Sequence, residues 1–127
     1  MTTYAYFIHE SDWDSDAYMP ADGSKADGLS EDFGEFGAFE ERVRELGGTI
    51  VGGQALQNAR YGGRVTPGGE GRREEDAVFT DGANPELTEV VSGFYLIDVD
   101  DEDVARRIAA YVPTGGHIEW RRVFPME

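Results

Sequence analysis

The segment Ser92–Val99, with the sequence SGFYLIDV, limits the folds open to this chain more than any other. Because alternate residues of a strand face the same side of a sheet, Phe94 and Leu96 share one face, while Tyr95 and Ile97 share the other. Both faces are apolar, which is typical of a strand that is covered on both sides. We therefore predict that this strand lies inside a sheet and that both faces of the sheet are covered.

The other strand patterns are shorter or less apolar. Apolar, β-branched and aromatic residues predict three further strands of the sheet and a hairpin. These strands span Thr3–His9, Thr49–Leu56 and His117–Phe124, and the hairpin joins Arg64–Thr66 to Asp76–Thr80.

Two helices are predicted between the strands. Ser30 is suited to cap the first helix, which ends at Gly47-Gly48. Asp100 is expected to cap the second, with Asp103 in the capping-box position and Pro113 beyond its end. The expected buried faces carry Phe36, Phe39, Val43 and Leu46 in the first helix and Val104, Ile108 and Tyr111 in the second.

The order of these elements is strand, helix, strand, inserted hairpin, strand, helix, strand. It predicts an α+β fold, a ferredoxin-like split βαβ sandwich with an inserted β-hairpin. The 127 residues are the size of one domain, so residues 1–127 are expected to form a single unit. Because two helices can cover only one face of the sheet, we predict that a second copy covers the other face, as a homodimer.

Charge and composition restrict the partners. The formal net charge is −15, from 26 acidic and 11 basic residues, and a field of this sign repels nucleic acids and anionic lipid surfaces. The chain has no cysteine, no apolar stretch long enough to span a membrane and no signal-peptide pattern at its start. We therefore expect a cytoplasmic protein with no nucleic-acid or membrane partner.

The predicted topology brings several polar side chains to one edge of the sheet. The first strand should lie between the third and fourth and run antiparallel to both, so its C-terminal end meets their starts. The end of the second strand and the loop after the hairpin should reach the same edge. The residues expected at a small-molecule cleft there are His9, Gln57, Asp81, Glu89, Ser92 and His117.

These residues have candidate roles and simpler alternatives. His9 could act as a general base, oriented by Asp81 or Glu89. Asp81 is also a common turn residue before Gly82, and Glu89 could be an ordinary loop charge. The expected ligand-binding residues are Gln57, Ser92 and His117, although a polar surface strand would explain His117 equally well.

The long connection Glu10–Ser30 could close over this edge as a flap. Its Asp12-x-Asp14-x-Asp16 run begins like a calcium loop, but Ala17 stands where such a loop needs glycine and Gly23 where it needs glutamate. The chain also lacks zinc-ligand spacing and phosphate-binding glycine motifs. We therefore expect neither a metal site nor a cofactor.

Several segments resemble the YCII-related, or DGPF-domain, family. The resemblance rests on Thr80-Asp81-Gly82 with Glu86 and Glu89, on Gly93–Asp100, on the glycine-rich Gly52–Gln57, and in kind on Tyr4–Glu10 and Glu119–Val123. The chain departs from the pattern at Ala83-Asn84, where the family has Pro-Phe, and at Thr88, where a lysine is usual.

The resemblance implies a dimeric α/β-barrel of the ferredoxin-like superfamily, whose members include metal-independent isomerases, monooxygenases and dehalogenases. It also implies a His-Asp pair as catalytic centre, which would be His9 with Asp81 in this sequence. Some DGPF-domain proteins accompany sigma factors, so the resemblance allows a second interpretation: a non-catalytic module that binds a ligand or a protein such as a sigma factor. The departures within the signature loop favour the second interpretation slightly.

Overall fold

The computed structural model describes residues 1–18, 34–81 and 89–126, and only the backbone of Asp81. Its strands are β1 (Thr2–Glu10), β2 (Thr49–Ala55), β3 (Gly63–Thr66), β4 (Val78–Asp81), β5 (Val90–Val99) and β6 (His117–Arg122). Its α-helices are α1 (Gly34–Glu45) and α2 (Glu102–Ala109).

Four of these strands form an antiparallel sheet in the order β2-β5-β1-β6. β1 therefore lies between β5 and β6, which is the strand order of the split βαβ fold. The predicted α+β, ferredoxin-like class is confirmed. β3 and β4 form a separate two-stranded antiparallel sheet, in which Val65 lies opposite Phe79.

The core lies between the helices and one face of the four-stranded sheet. Tyr4, Tyr6 and Ile8 of β1 point to this side, and the Tyr6 hydroxyl donates a hydrogen bond of 2.8 Å to the carbonyl oxygen of Ala105 in α2. The other buried core residues are Phe39, Val43, Ile97, Val99, Ala105, Ile108 and Val112. Burial of these aromatic and branched side chains stabilises the packing of the two helices on the sheet.

The opposite face of the sheet, the open face, is also apolar near its centre. Ala5 pairs with Leu96, and Phe7 pairs with Phe94. Both described helices pack on the other side, so within the described ranges no helix covers these four residues. The open face fits the predicted two-sided strand, and the homodimer that would cover it remains a prediction.

Helix ends differ from the sequence prediction in two details. The N-cap of α2 is Asp101, whose side chain accepts a hydrogen bond from the Val104 backbone N–H. The predicted Asp100 cap is therefore wrong by one residue. Tyr111 is 43 % exposed, and the neighbouring Val112 takes the buried position. Gly47 ends α1 with a positive φ of 88°, as predicted, whereas the predicted Ser30 cap lies outside the described residues.

Candidate functional site

Two histidines meet where β1 ends and β6 begins. His9 pairs directly with His117 across these strands. Their rings stack with centroids 5.0 Å apart and planes 12° from parallel. Both rings lie on the open face, since the neighbouring pair Ile8 and Ile118 points toward the core.

Each histidine has a carboxylate close to one ring nitrogen. Nδ1 of His117 lies 3.1 Å from Oε2 of Glu89, and Nε2 of His9 lies 3.7 Å from Oε1 of Glu119. Glu119 also contacts Arg121. A carboxylate partner determines which nitrogen of an imidazole carries the proton. The two rings therefore differ, since Nδ1 of His117 and Nε2 of His9 are the nitrogens that lie near a carboxylate. The arrangement leaves Nε2 of His117 and Nδ1 of His9 without a carboxylate among the described residues.

The two histidine side chains differ in their exposure to solvent. The side chain of His117 is 61 % exposed, whereas that of His9 is 24 % exposed. Glu89 is intermediate at 35 %. Among the described residues, His117 is therefore the more accessible of the two stacked rings.

The turn before β6 holds the histidine pair in place. Thr114 Oγ1 donates a 2.9 Å hydrogen bond to Oε1 of Glu10 and accepts a 3.0 Å bond from the Gly116 backbone N–H. A Cβ atom at position 116 would overlap the carbonyl oxygen of His9. Only glycine allows the start of β6 to approach the end of β1 this closely.

The six residues expected at one cleft are not all together. In the structure His9, His117 and Glu89 lie together. The carboxylate of Glu89 contacts the ring of His117 and not that of His9. Asp81 ends β4, where its backbone pairs with Gly63, and its side chain lies outside the described part. Gln57 lies beyond the end of β2 and is exposed. Ser92 is buried and lines a separate cavity, which is described below.

Glu119, which lies near His9, is not among the site residues that the sequence predicts. Its position two residues after His117 places both on the same face of β6, which is a signal available from the sequence. The signal is weak because the contact with His9 depends on the β1–β6 register, in which Glu119 lies opposite Phe7.

A second concave region lies between α1 and the sheet. This helix-side cavity has a volume of about 730 Å³. Its walls come from the end of β1, the first turns of α1, the adjoining halves of β2 and β5, and the turn before β6. It lies at the same end of the sheet as the histidine pair but on the opposite face. Ser92 lines this cavity.

The first part of the predicted flap is anchored beside this cavity. The indole N–H of Trp13 donates to the carbonyl oxygen of Leu56 at 2.8 Å. Ser15 and Asn58 exchange hydrogen bonds, with Ser15 N–H donating to Asn58 Oδ1 at 2.6 Å and Asn58 N–H donating to Ser15 Oγ at 2.8 Å. Residues 10–18 are thus tied to the segment after β2. The rest of the predicted flap lies outside the described residues.

In the described ranges, no group of three His, Cys, Asp or Glu side chains is placed to hold a metal ion. No helix in these ranges is long and apolar enough to cross a membrane.

The sequence model of the YCII-related domain matches residues 25–127. The chain belongs to the YCII-related family. The matched range includes Glu89, His117 and Glu119, while β1 with His9 precedes it. No curated protein matches the chain.

Proposed function

We propose that this YCII-related protein is a cofactor-free cytoplasmic enzyme that moves protons on a small molecule, working as a homodimer. The observation that carries the proposal is the 3.1 Å contact between Glu89 and Nδ1 of His117, beside the stacked His9 ring. A carboxylate that holds one imidazole nitrogen and leaves the other available is the common arrangement of a general base.

The roles follow from exposure and contact. Glu89 orients His117, and Nε2 of this exposed side chain accepts a proton from the substrate. His9 stacks on His117, with Glu119 near its Nε2, and positions the reacting ring. A second copy on the open face would shield the pair from water and strengthen its electrostatic interactions. The family resemblance implies a pair of His9 with Asp81, whereas this proposal assigns the role to His117 with Glu89, because these two side chains are in contact.

The reaction class that fits is an isomerisation next to a carbonyl group. Nε2 of His117 takes a proton from the carbon beside the carbonyl, the C–H bond electrons enter the carbonyl system as an enolate, and the imidazolium returns the proton to a neighbouring atom. No redox partner is needed, and the atoms balance within one substrate.

The test is proton exchange with solvent. Small ketones and keto acids are incubated in D₂O with the protein, and loss of the proton signal beside the carbonyl is followed by NMR. We expect exchange that falls about 100-fold or more in His117→Gln and in Glu89→Gln, in line with a lost general base. Glu45→Gln, on the surface of α1, is the matched carboxylate control. Exchange that persists in a His9→Gln/His117→Gln double variant would reject the proposal.

A non-catalytic role is the second candidate. It is supported by Ala83-Asn84 and Thr88, which replace usual residues in the family's signature loop. In that role the protein would bind a ligand or a protein partner such as a sigma factor. Purified sigma factors from the same genome, tested for binding by light scattering, decide this: a complex that survives in His117→Gln favours the binding module.

A further inference from the structure

The four-stranded sheet carries two arginines, Arg121 and Arg122, which are the last two residues of β6. Because successive side chains of a strand point to opposite faces, the two arginines lie on different sides of the sheet. Arg122 is on the helix side, where its guanidinium carbon is 6.0 Å from the centre of the Tyr4 ring. Arg121 pairs with Ala5 and belongs to the open face. Within the four strands it is the only permanently charged cation on that face.

The carboxylate of Glu119 links Arg121 to the histidine pair. Nη2 of Arg121 donates to Oε2 of Glu119, while Oε1 of the same carboxylate lies 3.7 Å from Nε2 of His9. Same-face neighbours on a strand are about 7 Å apart, so a guanidinium in contact with Glu119 lies roughly one such spacing from His117. The guanidinium is therefore on the same part of the open face as the two histidine rings.

The guanidinium of Arg121 has hydrogen-bond donors available. Its side chain is 73 % exposed, and among the described residues only Nη2 has a protein partner. A guanidinium has five N–H donors in a planar fork, so the bond to Glu119 leaves four. Two parallel N–H···O bonds from such a fork are the preferred way of holding a carboxylate. Arg121 can therefore bind a second carboxylate while it keeps its contact with Glu119.

The charge of the chain restricts where an anion can bind. A net charge of −15 repels small anions from most of the surface. A local cation outweighs this field only within about one Debye length, which is about 8 Å at physiological ionic strength. The histidine pair lies within that range of Arg121, since both contact the carboxylate of Glu119. An anionic molecule held by Arg121 would therefore be placed beside the histidine rings.

We propose that Arg121 binds the carboxylate of the substrate, so that the histidine pair acts on a short keto acid and not on a neutral ketone. This inference rests on the proposed proton transfer for its reaction and adds the class of substrate. The carboxylate is held by the donors that Glu119 leaves free, and the carbon beside the carbonyl faces Nε2 of His117. The proton still moves to His117 and back to the same molecule. Arg121 is therefore a specificity-determining residue and takes no part in the bond changes.

Binding is tested with two probes that lack the ketone. Pentanoate and pentanamide share one alkyl chain and differ in charge, and each is titrated into the full-length protein at low salt while NMR follows the ring signals of His9 and His117. We expect pentanoate to bind about tenfold more tightly than the amide in wild type. Arg121→Gln should remove this preference. Arg121→Lys should keep part of it, because lysine retains the charge without the planar fork.

Arg122→Gln is the matched control for the binding experiment. It makes the same change in net charge on the helix side of the sheet, so the preference for pentanoate should stay complete. The proposal is overturned if pentanamide binds as tightly as pentanoate, if Arg121→Gln and Arg122→Gln weaken the preference equally, or if pentanoate does not bind up to about 10 mM. Circular dichroism confirms that each variant is folded.

Exchange kinetics distinguish this proposal from the proton transfer itself. Levulinate and its methyl ester are incubated with the protein in D₂O, and exchange beside the ketone is followed over a range of concentrations. We expect Arg121→Gln to raise KM for levulinate about tenfold and to change kcat by less than about twofold, whereas His117→Gln lowers kcat. Preferred binding of pentanoate without any exchange would reject the proton transfer and retain carboxylate recognition by Arg121. Exchange with equal kcat/KM for the acid and the ester would reject the recognition and retain the proton transfer.

Discussion

His117 lies opposite His9 across the β1–β6 pair, and the two rings stack 12° from parallel. Their carboxylate partners approach different nitrogens: Glu89 is 3.1 Å from Nδ1 of His117, and Glu119 is 3.7 Å from Nε2 of His9. The two histidines of the pair therefore present different ring nitrogens to their carboxylate partners. This asymmetry can be observed directly, because the ring nitrogens of the two histidines give separate NMR signals.

Removing Glu89 should change the tautomer of His117. With Glu89 present, neutral His117 is expected to carry its proton on Nδ1, facing the carboxylate. In Glu89→Ala the proton should move largely to Nε2, while His9 keeps its own pattern. Correlation spectra of the ring protons and ¹⁵N nuclei measure this. Glu119→Ala is the reciprocal control, which should alter His9 and leave the Nδ1 signal of His117 in place. If His117 does not respond to loss of Glu89, the dyad is absent in solution.

Gly116 should be essential for the histidine pair, and Gly115 should not. A Cβ atom at position 116 would overlap the His9 carbonyl oxygen, whereas one at 115 meets nothing within 4 Å. We expect Gly116→Ala to lower the free energy of unfolding by about 2–4 kcal/mol, since backbone must move. Gly115→Ala should change it by less than about 1 kcal/mol. Urea denaturation gives both values, and similar losses in the two variants would contradict the close approach of β6 to β1.

The cap of α2 can be assigned by a pair of neighbouring substitutions. Asp101 accepts the Val104 N–H in the structure. Asp101→Ala should therefore cost about 1 kcal/mol of stability, the usual value of an N-cap side chain. Asp100→Ala should cost less than about 0.5 kcal/mol, as expected for a surface site without such a bond. Thermal unfolding of the two proteins decides between the caps, and a larger loss in Asp100→Ala would restore the sequence prediction.

The fold could be predicted because its signals are local. Residues Phe94 to Ile97 are apolar on both faces, which indicates an interior strand, and β5 indeed lies between β1 and β2. The order of strands and helices then leaves few topologies. The α2 cap was less certain for a physical reason: Asp100, Asp101 and Asp103 are all suitable residues, and only the backbone conformation selects one.

The site was harder to predict because it depends on register. The contact of His9 with Glu119 requires His9 to pair with His117, and a slip of one residue would turn these side chains to the other face. The bulge between Ile8 and His9 adds a shift that the pattern does not reveal. Gln57 follows the last backbone bond between β2 and β5, that of Leu56 N–H to the Ser92 carbonyl oxygen, and its side chain is exposed.

The free energy of unfolding should fall at alkaline pH because of the Tyr95 hydroxyl. Burial, with the charge of Glu40, raises its pKa from 10.0 to about 12 in the folded protein. Below the unfolded value both states keep the proton. Between the two values the unfolded chain loses its proton while the folded protein retains it, so rising pH favours unfolding by up to about 1.4 kcal/mol per pH unit. Burial also raises the pKa of Tyr6, which adds an effect of the same sign.

The measurement is urea unfolding of Tyr95→Phe and wild type at about pH 9 and about pH 11, values below and within the interval where the two states differ. Tyr95→Phe should lose less stability between the two conditions. Tyr111→Phe is the control, because Tyr111 is 43 % exposed on the helix side. An identical loss in wild type and Tyr95→Phe would show that this hydroxyl does not govern the alkaline limit.

The open face should hold two copies together. Phe7 and Phe94 pair near its centre, and both described helices pack on the other side of the sheet. Because apolar side chains on a sheet face that no described helix covers favour association, we expect a dimer by light scattering at micromolar concentration. Phe94→Glu places a carboxylate on this face of each copy, and desolvating two like charges should dissociate the dimer. Tyr111→Glu introduces the same charge on the helix side and should leave the dimer intact. A monomeric wild type, or a Phe94→Glu protein that still dimerises, would require another cover for this face.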